Sequence, residues 1–252
     1  MKPRVRILNG HFDPLTMAET VDAVFKMIRS GARGWLCTVN VSTLMAMRRD
    51  PTLQTFAERA SIVVADGQPL VWCAPLFDGH LPERVTGIDL IDALCERAAA
   101  AGAGVYLLGS TAELLARALH DLRSRHPRLH VDGADGYFDA AGAAVRADAI
   151  RASGAAILLV GMGSPRQESF IAEQWERLGA NVAIGVGGSF DVLAHARFRA
   201  PRWLRRAGLE WLVRLLQEPR RLLPRYLATN TQFCALIADA IGARVKRWIA
   251  AS

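Results

Sequence analysis

The amino-acid sequence predicts an α/β protein with a doubly wound, mainly parallel sheet of the Rossmann-like type, followed by a C-terminal helical appendage. Short runs rich in Val, Ile and Leu alternate with longer helical patterns, as in βαβ units. Glycine turns follow two of these runs, and a proline-interrupted helical pattern begins after Arg199. These observations separate the chain into a sheet-containing core and an appendage.

Nearly continuous apolar runs are typical of parallel strands that are buried on both faces. The predicted strands are Trp35–Val39, Ser61–Ala65, Gly104–Leu108, Ala155–Val160 and Asn181–Val186. The predicted helices are Met17–Ser30, Ser42–Arg49, Gly87–Ala101, Ala112–His126, Ala141–Ala152 and Arg166–Leu178. Thr16 and Glu19 have the spacing of a capping box, and Pro165 falls where a first helical turn accepts proline.

The length of 252 residues fits one α/β domain, which we divide into a core over residues 1–200 and an appendage over residues 201–252. We expect Pro219 and Pro224 to interrupt the helical pattern of the appendage. From Arg197 to Ser252 there are twelve Lys or Arg and three acidic residues, a net charge of +9, against +7 for the whole chain. This asymmetry predicts a polyanionic partner for the appendage, which could be nucleic acid, an anionic lipid surface or a diphosphate.

Cysteine usage and hydropathy indicate the cellular compartment. The four cysteines lie far apart and form no C-x-x-C pair, so we expect reduced thiols in a cytoplasmic protein. No apolar run reaches the roughly 18 residues of a membrane span. The N-terminus lacks the apolar region of a signal peptide. We therefore expect a protein that neither spans a membrane nor is exported.

The first glycine turn, which contains Gly161 and Gly163, follows a predicted strand and precedes a predicted helix. Free amide groups and the dipole at a helix N-terminus both favour a phosphate, so these two glycines are candidates for anion binding. Arg166 occupies the position of the third glycine in the dinucleotide fingerprint, which excludes that motif. A tight turn without a ligand is the alternative.

The second glycine turn contains Gly187 and Gly188 and follows the next predicted strand. Ligands of open α/β sheets gather at the carboxyl ends of the strands. Asp191 comes directly after this turn. It could accept hydrogen bonds from a ribose or a base, or it could serve as the N-cap of the following helix.

Polar side chains also stand at the ends of two other predicted strands. Thr38 and Asn40 end one strand, and Asp66 follows another. Asp66 could act as a general base that removes a proton from an attacking hydroxyl, or it could only form a turn. Since parallel strands end at one edge, we expect a single rim to collect Thr38, Asn40, Asp66, Gly163, Gln167 and Asp191.

Arg84 lies in a loop before a predicted helix and could contact a phosphate or a sugar carboxylate. An exposed loop arginine without a ligand is the ordinary alternative. The six histidines include no pair with the one-face spacing of a zinc helix, and the sequence contains no D-x-D triplet. We therefore expect chemistry without a metal and without another cofactor.

Nine sequence blocks occur along the chain in a recognisable order: Thr38–Asn40, Ala65–Gly67, Leu81–Leu90, Asp135–Phe138, Gly161–Glu168, Gly185–Asp191, Arg199–Pro201, Gly208–Leu212 and Glu218–Arg221. On these blocks the chain resembles the bacterial WecG/TagA/CpsF glycosyltransferases from about Ile7 to Phe233. So many blocks in one order make chance agreement an inadequate explanation.

The resemblance implies inverting, metal-independent transfer from a UDP-sugar to an undecaprenyl-diphosphate-linked sugar, in surface polysaccharide or teichoic acid synthesis. The transferred sugar would be N-acetylmannosamine, its uronic acid or glucose. Asp66 would be the catalytic base. Thr38, Asn40, Arg84 and Gln167 would surround the sugar and diphosphate, and the two glycine turns would hold the nucleotide.

The resemblance also implies that the appendage docks on the inner face of the cell membrane and closes over the active site with Arg214, Arg221 and Arg225. Guanidinium groups suit the diphosphate of the leaving group. The implied partners are the UDP-sugar, the polyprenyl-diphosphate-linked acceptor and an anionic membrane surface, with no nucleic acid; a homo-oligomer is left open. The chain departs from the family pattern at His195, where glycine is usual, and at Pro224.

Two other classes compete with this hypothesis. A non-catalytic α/β module with a basic nucleic-acid-binding or lipid-binding tail would explain the charge asymmetry but not the polar rim around Asp66. A nucleotide-sugar epimerase or dehydrogenase would need the G-x-G-x-x-G motif, which is absent.

Overall fold

The computed structural model describes residues 2–196 and 198–251, without the side chains of Arg202, Arg206 and residues 247–251. Strands β1 to β8 span Val5–Ile7, Gly10–Phe12, Gly34–Val39, Ile62–Ala65, Val105–Gly109, Val131–Ala134, Ile157–Gly161 and Val182–Gly185. Helices α1 to α6 span Met17–Arg29, Val41–Met47, Pro51–Glu58, Gln68–Cys73, Gly87–Ala101 and Ala112–Arg125. Helices α7 to α12 span Ala140–Ser153, Arg166–Leu178, Ser189–Leu193, Arg202–Arg206, Glu210–Gln217 and Pro219–Ala251.

Strands β3 to β8 form one sheet in the order β4-β3-β8-β7-β5-β6, and each neighbouring pair is parallel. Strands β1 and β2 pair separately as an antiparallel hairpin. Helices cover both faces of the larger sheet, so the predicted doubly wound α/β fold is confirmed. The carboxyl ends of the strands lie along one edge: Val39 is level with Ala65, and Val160 with Gly185.

Each face of the sheet carries its own apolar layer. One layer joins strand side chains such as Leu36 and Val64 to helices α1, α5, α6 and α9. The other joins Cys37 and Val63 to helices α2, α3, α7 and α8. Successive strand residues point to opposite faces, and both faces are buried. This double burial explains why the strands appear in the sequence as continuous apolar runs.

The predicted helices and strands lie within two residues of observed ones, and α5 and α8 begin and end at the predicted residues. The capping box of Thr16 and Glu19 is present at α1. Pro165 is the residue before α8 rather than a member of its first turn. The sequence did not predict β6, because Val131 alone of this short edge strand is fully buried.

The appendage departs from its prediction at Pro224. Pro219 begins α12, where a proline is well tolerated, but Pro224 lies inside the same continuous helix. The predicted interruption at Pro224 is therefore wrong. A proline near the start of a long helix removes only one backbone hydrogen bond. Leu222 and Phe233, on either side of it, are buried and help to hold the helix in place.

Helix α12 packs on α2 and the core. Phe233 joins the apolar layer on the α2 side of the sheet. The hydroxyl oxygens of Ser42 and Thr229 are 3.2 Å apart, and Arg49 Nη2 donates to Gln232 Oε1 at 2.6 Å. Both apolar and polar contacts therefore attach the appendage to the core, and the boundary at residue 200 stays a prediction. In the described part of the chain, none of the helices has the length and apolar character needed to cross a bilayer.

Replacement of Phe233 by alanine is expected to lower the free energy of unfolding by about 3 kcal/mol, because it removes a buried ring from the core. Phe198→Ala is the matched control: its ring is 68% exposed, so the loss should stay within about 0.5 kcal/mol. Urea unfolding followed by circular dichroism measures both changes. Equal losses for the two variants would contradict the packing of α12 on the core.

Candidate active site

Two adjoining clefts open at the carboxyl edge of the sheet. The first has a volume of about 640 Å³ and is lined by both glycine turns; we name it the glycine cleft. The second has a volume of about 450 Å³ and contains Asp66; we name it the Asp66 cleft. The residues common to both are Asn40, Ser42, Thr43, Ser164, Gly187, Arg214, Arg225 and Tyr226.

Every residue that the sequence predicts for the site lines at least one of these clefts. The glycine cleft holds Asn40, Gly161, Gly163, Gly187, Gly188, Asp191, Arg214, Arg221 and Arg225. The Asp66 cleft holds Thr38, Asn40, Asp66, Arg84, Gln167, Gly187, Arg214 and Arg225. The structure therefore brings the predicted residues together, while the role of each stays a prediction.

Asp66 is a partly buried carboxylate directly after β4. Its backbone amide donates to the carbonyl of Val39 at 2.9 Å, which continues the pairing of β3 and β4 by one residue. Burial raises the pKa of Asp66 to about 7, although Arg214 and Arg84 act to lower that pKa. Such a carboxyl group can both accept and release a proton near neutral pH, as a general base must.

Arg84 forms an ion pair with Glu210, the first residue of α11. Arg84 Nη2 lies 3.1 Å from Glu210 Oε2, and the two side chains are only 14% and 9% exposed. The alternative of an exposed loop arginine is therefore wrong. Asp89 at the start of α5 extends this cluster by ion pairs with Arg199 and Arg205. The cluster joins the core to the appendage next to the Asp66 cleft.

Sequence reasoning missed Glu210. One signal could have found it, because Glu210 is one of only three acidic residues in the basic segment after residue 196. An acid among so many arginines favours a specific ion pair. Tyr137, Tyr226, Trp72 and Trp211 also line the clefts without having been predicted as site residues.

Gln167 holds the second glycine turn in place. Its side chain is buried; Oε1 accepts a hydrogen bond from the Gly187 amide at 3.0 Å, and Nε2 donates to Glu168 Oε1 at 2.8 Å. A Cβ at Gly185 would lie 2.5 Å from Gln167 Nε2, so a larger residue there would displace the end of the Gln167 side chain. Burial raises the pKa of the neighbouring Glu168. Gln167 therefore shapes the cleft as well as lining it.

Thr38 and Asn40 each use one side-chain oxygen within the protein. Thr38 Oγ1 donates to the carbonyl of Gly185 at 3.3 Å. Asn40 is the N-cap of α2, where its Oδ1 accepts from the Thr43 amide at 3.0 Å. These bonds fix the orientation of both side chains at the cleft wall.

The glycine turns depend on backbone that other residues adopt poorly. Gly163 and Gly187 have φ values of +77° and +54°. A Cβ at Gly161 would lie 2.6 Å from the ring of Phe190. Asp191 is the third residue of α9, whose N-cap is Gly188, and it accepts a hydrogen bond from Ser110 Oγ at 3.2 Å. The alternative in which Asp191 caps the helix is therefore wrong.

The appendage contributes arginines to both clefts. Arg214 and Arg225 line both of them, and Arg221 lines the glycine cleft. Arg221 pairs with Glu218, and the guanidinium of Arg225 lies 5.5 Å from the ring centroid of Tyr226. Within the described residues, there is no group of three or more His, Cys, Asp or Glu side chains that could share a metal ion.

A six-stranded parallel sheet with glycine turns, a carboxylate and arginines at its carboxyl edge places the chain among the Rossmann-like α/β proteins that bind ligands at that edge. The family model described as the glycosyl transferase WecG/TagA/CpsF family matches residues 5–247. The chain therefore belongs to this family and is a glycosyltransferase. The match includes both the core and most of the appendage.

Because the pKa of Asp66 is raised in the folded protein, the stability of the fold should depend on pH, and the direction of the shift gives the direction of that dependence. Its pKa of about 7 in the folded protein lies above the ordinary value of 3.8, so ionisation destabilises the fold as pH rises from about 4 to 7. Asp66→Asn should therefore raise the melting temperature at pH 8 and change it little at pH 4. Scanning fluorimetry at the two pH values measures the difference.

Asp148→Asn is the control of opposite sign. A hydrogen bond from Arg177 holds the pKa of Asp148 below its ordinary value, so the charged form contributes stability that is present at pH 8 and fades as pH falls. This substitution should lower the melting temperature more at pH 8 than at pH 4. An Asp66→Asn shift of the same size at both pH values would show that Asp66 ionises normally.

Proposed function

We propose that this enzyme transfers a hexose or N-acetylhexosamine from a UDP-sugar to an undecaprenyl-diphosphate-linked acceptor, with inversion and without a metal ion, in surface polysaccharide or teichoic acid synthesis. The observation that carries the proposal is the position of Asp66. Its carboxyl group, with a pKa of about 7, lies in a cleft that adjoins the glycine turns and shares two arginines with them.

The proposed reaction is a single displacement. The Asp66 carboxylate accepts the proton of the acceptor hydroxyl while that oxygen attacks the anomeric carbon of the donor. The bond from this carbon to the UDP oxygen breaks, and its electron pair leaves with UDP. Attack from the face opposite the leaving group inverts the configuration of the anomeric carbon, because no covalent enzyme intermediate intervenes.

Arginines are proposed to stabilise the leaving diphosphate. Arg214, Arg221 and Arg225 reach the clefts from the appendage, and a guanidinium can bind two phosphate oxygens at once. Arg84 would face the sugar and diphosphate from the core, oriented by Glu210 at 3.1 Å. This set supplies positive charge where a bound metal would do so in other glycosyltransferases.

The remaining cleft residues are proposed to position the donor. Amides of the turns at Gly161–Gly163 and Gly187–Gly188 would face the nucleotide diphosphate, and Asp191 would accept from the ribose or base. Thr38, Asn40 and Gln167 would surround the transferred sugar. N-acetylmannosamine, its uronic acid and glucose are the candidate sugars, since pocket shape rather than a motif discriminates among them.

We also propose that the enzyme acts while bound to the inner face of the cell membrane. Leu212 and Leu216 on α11, and Leu223 and Leu227 on α12, are exposed in a segment rich in arginine. Exposed leucines beside basic residues suit the boundary of an anionic bilayer, where each basic residue adds about 1 kcal/mol. Leu222 is buried in the protein, so we exclude it from the proposed contact with the bilayer.

Asp66→Asn is expected to lower kcat by about 10²–10⁴-fold while UDP binding stays nearly unchanged, because the base acts on the acceptor hydroxyl. The assay incubates the enzyme with a panel of UDP-sugars and synthetic polyprenyl-diphosphate acceptors, and calorimetry measures UDP binding. Asp22→Asn on the exposed face of α1 is the control and should keep full activity. A near wild-type kcat for Asp66→Asn would leave Asp66 as a turn residue only.

Transfer is expected to continue in excess EDTA, because the arginines of the clefts provide the charge that stabilises the diphosphate. The initial rate with and without chelator measures this. Activity that is abolished by EDTA and restored by magnesium or manganese would contradict the metal-independent mechanism.

A further inference from the structure

Two exposed tryptophans stand at the mouth of the Asp66 cleft. Trp72 on α4 and Trp211 on α11 both line this cleft, yet they are 62% and 42% exposed. Large apolar rings that are exposed beside a cleft indicate a binding surface, since contact with an apolar ligand would remove them from water. An indole ring has no group that could accept the proton of the acceptor hydroxyl, so the proposed proton transfer does not account for these rings.

The core and the appendage supply one ring each. Trp72 belongs to the helix that begins directly after Asp66 and Gly67, and its ring lies against Gly208, where a Cβ would be 3.1 Å from Trp72 Cη2. Trp211 directly follows Glu210, the partner of Arg84, and its ring packs edge-on against Tyr226 with centroids 6.1 Å apart. Each ring therefore has a neighbour that helps to position it at the Asp66 cleft.

One cleft combines three kinds of group. Asp66, Arg214, Arg225, Trp72 and Trp211 all line the Asp66 cleft. On α11, Trp211 is followed directly by Leu212 and, one turn later, by Leu216, and both leucines are exposed. An amphiphile with a sugar hydroxyl, a diphosphate and a hydrocarbon chain carries groups that suit the carboxylate, the arginines and the apolar rings.

We propose that Trp72 and Trp211 form a subsite for the first isoprene units of the acceptor lipid. This inference rests on the proposed function, in which the acceptor sugar is at Asp66 and its diphosphate near the arginines. The hydrocarbon must then leave through a surface that shields it from water. Tryptophan rings suit a boundary between polar and apolar surroundings, and contact with isoprene methyl groups would bury both surfaces.

The test compares two acceptors that carry the same sugar diphosphate, one on undecaprenol and one on hexanol, in detergent micelles without a bilayer. Wild type should have the lower KM for the undecaprenyl acceptor. Trp72→Ala and Trp211→Ala should each raise that KM by about tenfold, leave the KM for the hexyl acceptor unchanged and leave kcat unchanged for both. Trp72→Phe, which keeps a ring, should recover most of the loss.

Trp203→Ala is the matched control. This tryptophan is also on the appendage, is 68% exposed and lines neither cleft. Its substitution should change neither KM. Thermal melts of all variants by circular dichroism show whether they remain folded, and a variant that keeps normal kinetics with the hexyl acceptor has kept its active site.

Several outcomes would overturn the subsite. Equal changes in KM for both acceptors would place the rings at the sugar or diphosphate instead of the lipid chain. Loss of vesicle binding by Trp72→Ala, with normal kinetics in micelles, would make the ring a bilayer anchor. If wild type transfers to both acceptors and the KM values of Trp72→Ala and Trp211→Ala equal those of wild type, the subsite is refuted and the proposed function still stands. Transfer by wild type to neither acceptor would refute both.

Discussion

Parallel pairing of the four strands β4, β3, β8 and β7 places the strand-end residues of the candidate site at one edge of the sheet. Asp66, Thr38, Gly187 and Gly161 stand at or just beyond the ends of these strands, in that spatial order. Neighbouring antiparallel strands would end at opposite edges and separate these residues. The parallel arrangement requires a helical crossover after each strand, and these crossovers build the apolar layers that bury both faces of the sheet.

The buried ion pair of Arg84 and Glu210 links the appendage to the ionisation of Asp66. Two charges removed from water remain stable only when each satisfies the other. Burial has the largest effect on Asp66 and raises its pKa to about 7; Arg214 and Arg84 act to lower that pKa, and Glu210 acts to raise it. The appendage therefore lines the cleft and also places charges near the candidate base, with Arg214 lowering and Glu210 raising the pKa of Asp66.

The backbone of this chain accommodates His195 and Pro224, the two residues at which the sequence departs from the family pattern. His195 has φ of +52°, a left-handed conformation in which glycine is the ordinary residue, and its Nε2 lies 3.2 Å from Asp121 Oδ1. The turn after α9 thus keeps the conformation that a glycine would adopt. Pro224 is likewise contained within an unbroken α12. Both residue types are therefore compatible with the local backbone of this chain.

The order of apolar runs and glycine turns was enough to predict the parallel sheet, and strand ends were enough to predict that Thr38, Asp66, Gly187 and Asp191 share an edge. Those inferences hold because strand and helix periodicity and turn chemistry are local properties of the chain. The pairing of Arg84 with Glu210 was beyond sequence reasoning, since the two residues approach only when α11 folds back on the core. The division into two clefts, the burial that shifts the pKa of Asp66, and the continuity of α12 through Pro224 likewise arise from packing between distant segments. Packing of that kind has no periodic signature in the sequence, because it is decided by which surfaces fit together once the elements have formed.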